Sequence, residues 1–297
     1  MVAGILLGLA AALFQSVSYI FSATFTARFQ RSALTQLVLN HITLGLLSAL
    51  VLPLVWHPDV LQPALYVVPL VMAMLTYLLA QLSLYQAIKF SAASRVSPLL
   101  GLKVIVLAVI GVFWLGEQYV LIQWLGVLLC GAGAIWLSLS GGRISGAALV
   151  WVVVTCVGYA ASDLFILELI NRFDGVSRLQ AAGLAVSLCY MLAGAVCVPW
   201  VYRIGSRQLL VGSLPAAVSW FLAVLCLFAC FAYIGVVFGG VVQSARGLIS
   251  IVLGLLLAWC GWRYAEPLAK TNVLIQRLLA ALMMLVAIVL FSLGAML

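Results

Sequence analysis

The sequence predicts an all-α integral membrane protein, ten transmembrane helices arranged as two inverted five-helix repeats. Three observations carry that prediction. Of 297 residues, 67% are hydrophobic and 7% charged, with a mean hydropathy of +1.32, whereas a soluble domain carries about 25% charged residues. The apolar residues fall into long runs, about ten of the roughly 20 residues that one helical crossing requires. Finally, landmarks of the first half recur in the second. A β-barrel is excluded because the runs are continuous rather than alternating. The net charge of +8 comes from singly scattered basic residues, which argues against a nucleic-acid partner.

The elements follow in order. Span 1 covers 3–26 and closes on Arg28–Arg31; Val2–Ala27 lacks a basic leader and is too long for a cleaved signal. Spans 2 (33–55) and 3 (63–88) end at Trp56-His57-Pro58-Asp59 and Lys89. Span 4 (92–114) carries Pro98, a kink or opening turn, and Gly116-Glu117 separates it from span 5 (119–139). Gly141-Gly142-Arg143 divides the domains, 1–142 and 143–297. Spans 6 (145–170), 7 (178–200), 8 (213–234), 9 (237–260) and 10 (272–296) follow, separated by Asn171–Arg178, Arg203–Arg207 and Arg263–Lys270. Trp56, Trp114, Trp200, Trp262 and Tyr264 sit near span ends, at headgroup level.

Connections after the odd-numbered spans hold Arg28, Arg31, Lys89, Arg95, Arg143, Arg203, Arg207, Arg263, Lys270 and Arg277. The opposite face holds Arg172 and Arg178 with Asp59, Glu117 and Asp174. The positive-inside rule then puts both termini outward, in a cell (inner or plasma) membrane.

The halves echo one another. Arg28-Phe29 ends span 1 and Arg172-Phe173 ends span 6; stepping back equally pairs Gln15 with Tyr159, Ser18 with Ser162 and Tyr19 with Asp163. Val120-Leu121-Ile122-Gln123 opens span 5 and Val273-Leu274-Ile275-Gln276 opens span 10, each after an acid, Glu117 or Glu266. A repeat of five spans must lie in opposite orientations in its two copies. Such inverted repeats place a site near the midplane and exchange two conformations, the architecture of transport by alternating access.

Charge inside the bilayer costs about 2.5–3.5 kcal/mol per residue on insertion scales and so needs a reason. Lys103 in span 4, Asp163 in span 6 and Arg246 in span 9 are deep. Spans 4 and 9 correspond, so Lys103 and Arg246 are near counterparts expected to line a cavity and attract a carboxylate or phosphate. Asp163 is either the fixed partner of one cation or a proton-coupling group. Two cations against one acid leave a positive charge unpaired. Polar stripes accompany these charges: Gln15, Ser18, Tyr19 and Ser22 on span 1; Tyr77, Gln81 and Tyr85 on span 3; Thr155, Tyr159, Ser162 and Asp163 on span 6. With His41 and Asn40 on span 2 and Gln243 on span 9, they should face the interior. The expected substrate-binding set is Lys103, Arg246, Gln15, Tyr19, Tyr77, Gln81, Tyr85, His41, Tyr159 and Gln243, with Asp163 for proton coupling.

No catalytic residue, metal site or cofactor is expected. The seven cysteines lie in apolar runs without CxxC spacing and read as buried free thiols. HExxH, GxSxG and GxxxxGKS patterns do not occur, which speaks against an intramembrane enzyme and an ATP-driven pump.

The segment Tyr85-Gln86-Ala87-Ile88-Lys89-Phe90-Ser91-Ala92-Ala93-Ser94-Arg95 resembles the EamA-like branch of the drug/metabolite transporter superfamily, as does Gly111-Val112-Phe113-Trp114-Leu115-Gly116-Glu117. Gln123-Trp124-Leu125-Gly126-Val127 continues the likeness into span 5, and Ala265-Glu266 stands for Gly-Glu in the second half. The resemblance implies a ten-helix inverted repeat and secondary transport, often export, of small polar solutes. Where family members commonly have Gln-Pro or Glu-Pro, this chain has Lys103-Val104, which favours an anionic or zwitterionic substrate. The family is usually drawn with cytoplasmic termini, opposite to the charge count. The expected partners are therefore a small-molecule substrate and the lipid bilayer, for a monomer or homodimer. A flippase for an anionic lipid-linked head group is the alternative.

Overall fold

The structure, a computed structural model, describes residues 1–91, 96, 99–114, 116–139, 144–204, 206–259 and 271–295. Arg95, Pro98, Arg143, Trp262, Arg263, Tyr264, Glu266 and Lys270, singled out above, lie outside them, as does Cys260, one of the seven cysteines. The described residues form helices and turns, with no strand among them. The α-helices are α1 (Val2–Phe29), α2 (Ala33–Val51), α3 (Val67–Phe90), α4 (Lys103–Trp114), α5 (Leu121–Leu139), α6 (Gly146–Ile170), α7 (Arg178–Ile204), α8 (Arg207–Ile234), α9 (Val236–Gln243), α10 (Arg246–Trp259) and α11 (Thr271–Gly294).

Within these residues, eight helices are long and apolar enough to cross a membrane, and two shorter apolar stretches, Leu100–Trp114 and Leu278–Gly294, accompany them. Helix starts follow the polar punctuation. Ser32, Ser145 and Ser206 cap α2, α6 and α8 by accepting from the backbone N–H of Thr35, Ala148 and Leu209, and so satisfy donors the first turn leaves open. Ser206 also explains why α8 begins at Arg207 rather than at the expected 213. Gln30 ends α1 in the left-handed region, φ 51°, its N–H bonded to the Thr26 carbonyl.

The polarity of the bundle is that of a protein in lipid. Leu50, Leu79 and Val150 stand exposed on the outside, while Gln15, Ser18, Thr155, Ser162, Asp163 and Gln243 are buried. Lipid accepts the first group and penalises the second.

Four long antiparallel pairings organise the interior: α1 with α8, α3 with α6, α2 with α7, and α5 with α11. Small residues let these backbones meet. A Cβ on Gly45 would stand 3.1 Å from the Cα of Gly194, and one on Gly126 2.9 Å from the Ala287 carbonyl oxygen. Two serines tie the first two pairs in the same way. Ser18 Oγ donates to the Ala216 carbonyl at 2.8 Å, and Ser162 Oγ to the Ala73 carbonyl at 3.0 Å. In the alignment that matches Ser18 with Ser162, Ala73 falls within one residue of Ala216.

Two elements depart from the continuous spans expected. The segment leading into α4 is a 3₁₀ turn at Leu100–Leu102, and the α-helix begins only at Lys103. The ninth span breaks at Ser244-Ala245 into α9 and α10. There the Ser244 hydroxyl takes the Val241 carbonyl at 2.6 Å, a local bond that competes with helix continuation. The register that carries Ala73 onto Ala216 carries Lys103 onto Arg246 without a gap. Each cation is therefore the first residue of a helix that starts inside the bundle.

Candidate functional site

Those two helix starts flank a partly open chamber. Of the residues expected from the sequence, Gln15, Tyr19, Tyr77, Lys103, Tyr159, Asp163, Gln243 and Arg246 line it. Helical spacing explains the grouping: Gln15 and Tyr19 are one turn apart on α1, as are Tyr159 and Asp163 on α6. Tyr19 is 38% exposed, against 3% for Gln15, so Tyr19 stands at the rim.

A continuous polar chain crosses the chamber. Lys103 Nζ lies 2.8 Å from Asp163 Oδ2 and donates to Gln243 Oε1 at 2.9 Å. Gln243 Nε2 donates to Gln15 Oε1 at 3.0 Å. Arg246 Nη1 reaches the same oxygen at 3.4 Å and the Tyr19 hydroxyl at 3.3 Å. The Arg246 guanidinium also lies 5.5 Å from the centre of the Tyr19 ring, within cation–π range.

The two cations therefore differ. The carboxylate of Asp163 lies against Lys103 and offsets its charge. Arg246 meets only neutral groups, with no ion-pair partner among the described residues. Ser250 Oγ donates to Ser16 Oγ at 2.9 Å and fastens α10, and with it Arg246, against α1.

His41 and Gln81 stand behind the wall and hold one of its members. His41 Nδ1 lies 2.8 Å from the Leu37 carbonyl. A carbonyl only accepts, so that nitrogen carries the proton and Nε2 accepts from the Tyr77 hydroxyl at 3.1 Å. The same phenol oxygen accepts from Gln81 Nε2 at 3.0 Å. Neither residue lines the chamber; both position Tyr77. Tyr85, one turn beyond Gln81, is half-buried and outside the lining. Glu168 makes an exposed pair with Arg172 at 2.6 Å, and Glu117 borders a separate recess with Tyr119 and Phe238.

Sequence reasoning missed Tyr190 of α7 and Trp220 of α8, both in the lining. Trp220 Nε1 donates to the Tyr190 hydroxyl at 3.3 Å, and its ring meets Tyr19 edge-on at 5.9 Å. Tyr190 lies 6.4 Å from Tyr77, which lies 6.1 Å from Tyr159. The available signal is a tryptophan at mid-span, away from the headgroup level that tryptophan prefers.

Residues 2–139 match the EamA-like transporter family. A crystal structure of a protein, 14% identical, superposes with a TM-score of 0.66 over 99% of this chain and 97% of its own, a likeness of fold alone. No curated protein matches the chain.

Proposed function

We propose that this multi-pass membrane protein, whose residues 2–139 match the EamA-like transporter family, is a secondary transporter, an exporter of a small anionic or zwitterionic metabolite such as an amino acid or an organic or phosphorylated acid. The substrate sits at Arg246 in the central chamber and reaches either side by alternating access. The single observation that carries the reading is the contrast between the cations: Lys103 is neutralised by Asp163 at 2.8 Å, whereas Arg246 is not neutralised among the described residues.

The movement is that of ten spans in two inverted five-helix repeats, 1–142 and 143–297. Its support is the exchange pattern of the packing. Replacing each span by its counterpart five positions away turns the α1–α8 pairing into the α6–α3 pairing, while α2–α7 and α5–α11 map onto themselves. The matched bonds of Ser18 and Ser162 follow the same rule. Inverted repeats put broken helices and their sites at the bilayer midplane, and both helix starts here carry a cation.

Asp163 couples transport to protons. Substrate entering beside Gln243 draws Lys103 away, and the carboxyl left without its partner takes up the proton.

The test is efflux from proteoliposomes loaded with labelled alanine, phenylalanine, pyruvate and glycerol phosphate. Arg246→Ala should slow efflux of the transported solute at least about tenfold, the loss of one charge-assisted contact of about 1.5–3 kcal/mol. Asp163→Asn should flatten its pH dependence. Unchanged efflux in Arg246→Ala overturns the anion site, and an unchanged pH profile in Asp163→Asn overturns the coupling.

A further inference from the structure

The chamber wall is more specific than its charge. From Arg246 it runs through Tyr19, Trp220, Tyr190, Tyr77 and Tyr159, each ring in contact with the next: Tyr19 with Trp220 at 5.9 Å, Trp220 bonded to the Tyr190 hydroxyl, and Tyr190 to Tyr77 and Tyr77 to Tyr159 at 6.4 and 6.1 Å. Tyr77 is held from behind by His41 and Gln81, and Tyr190 from within the wall by Trp220. Rings held in place present their faces without losing rotamer freedom on binding.

The cationic end is as restricted. Both polar contacts of the Arg246 guanidinium come from Nη1, and among the described residues no contact engages the edge formed by Nε and Nη2. That edge matches a planar carboxylate in a bidentate pair. The only other cation of the chamber's described lining is Lys103, whose charge Asp163 offsets at 2.8 Å. The lining therefore offers one uncompensated positive charge and a half-ring of aromatic faces.

We propose that the substrate is a monoanion with an aromatic or other planar body, its single carboxylate on the free edge of Arg246 and its ring against the tyrosine–tryptophan wall. Doubly charged head groups, phosphate monoesters among them, are disfavoured because their second charge finds no cation. This narrows the transport reading above and rests on it.

Full-length protein in nanodiscs, titrated calorimetrically with four probes, tests the assignment. The probes are 3-phenylpropionate, hexanoate, phenyl phosphate and 3-phenylpropanol. The expected result is that 3-phenylpropionate binds about tenfold or more tightly than each of the others, since favourable aromatic contacts and one charge pair each supply about that factor. Arg246→Lys, which keeps the charge and loses the fork, should weaken 3-phenylpropionate about tenfold. Tyr190→Leu should reduce its advantage over hexanoate. The probe comparison in unaltered protein stands even if a variant folds poorly. If hexanoate or phenyl phosphate binds as tightly as 3-phenylpropionate, the aromatic monoanion assignment falls and the anion-transport reading survives. If no anion binds the folded protein, both fall.

Discussion

Tyr77 shows how single side chains set the chamber. Its hydroxyl donates to His41 and accepts from Gln81, both buried. Tyr77→Phe keeps the ring but leaves His41 Nε2 and the Gln81 amide without that partner, at a cost of about 1–3 kcal/mol for a stranded buried group. The expected result is a lower unfolding temperature by fluorescence-monitored thermal denaturation, with Gln81→Leu milder because His41 keeps its donor. An unchanged temperature in Tyr77→Phe would show that the triad does not hold the ring. Charge and polarity made much of the lining legible at this scale: Lys103, Asp163, Arg246, Gln15 and Gln243 are each costly in lipid and so announce a purpose. Tyr190 and Trp220 did not stand out because an aromatic ring is ordinary in an apolar helix. The roles of His41 and Gln81 were hidden for another reason: a polar residue facing the interior can serve a neighbour as readily as a ligand, and sequence spacing is identical in the two cases.

At the level of elements, hydropathy located helices well and their interruptions poorly. Positions 237–260 are apolar on both sides of Ser244-Ala245, so a running average sees one span where the backbone makes two. The break becomes intelligible only once the Ser244 hydroxyl is seen on the Val241 carbonyl. Close approach is a second property of elements. At the α2–α7 crossing a Cβ on Gly194 would stand 2.9 Å from the Gly45 Cα and 3.0 Å from the His41 carbonyl oxygen. Both are backbone atoms with little freedom to yield. Gly194→Leu should therefore separate the pair and destabilise the protein by about 1–3 kcal/mol, as overpacking does. Gly254→Leu is the control, because among the described residues nothing lies within 4 Å of its added Cβ. Thermal denaturation of the two variants measures the difference, and equal stability would mean that the crossing relaxes freely.

For the whole molecule, the asymmetry of basic residues predicts orientation. The face that carries the Asn171–Arg178 connection has Arg172 and Arg178 against ten basic residues on the opposite face, so that connection should lie outside and the Gln30–Ser32 connection in the cytoplasm. An epitope inserted at Asp174 should be stained by antibody on intact cells, and one at Gln30 only after permeabilisation; the reverse pattern would invert the assignment. Paired landmarks such as Arg28-Phe29 and Arg172-Phe173, on which the proposed duplication rests, were readable. The partners of each helix were not, because packing across the two halves is a relation between distant segments that periodicity does not encode.

The short helix α9 has a mechanical consequence. All eight of its residues are buried, and it is bounded by two joints: Gly235, at φ 74°, where glycine alone bends without strain, and the Ser244-Ala245 break. It is a rod of about 12 Å, at 1.5 Å per residue, set between these two interruptions. Gln243 rides on its tip and grips Lys103 and Gln15 at once, so a tilt of a few degrees would shift the grip on both sides of the binding space in a single stroke.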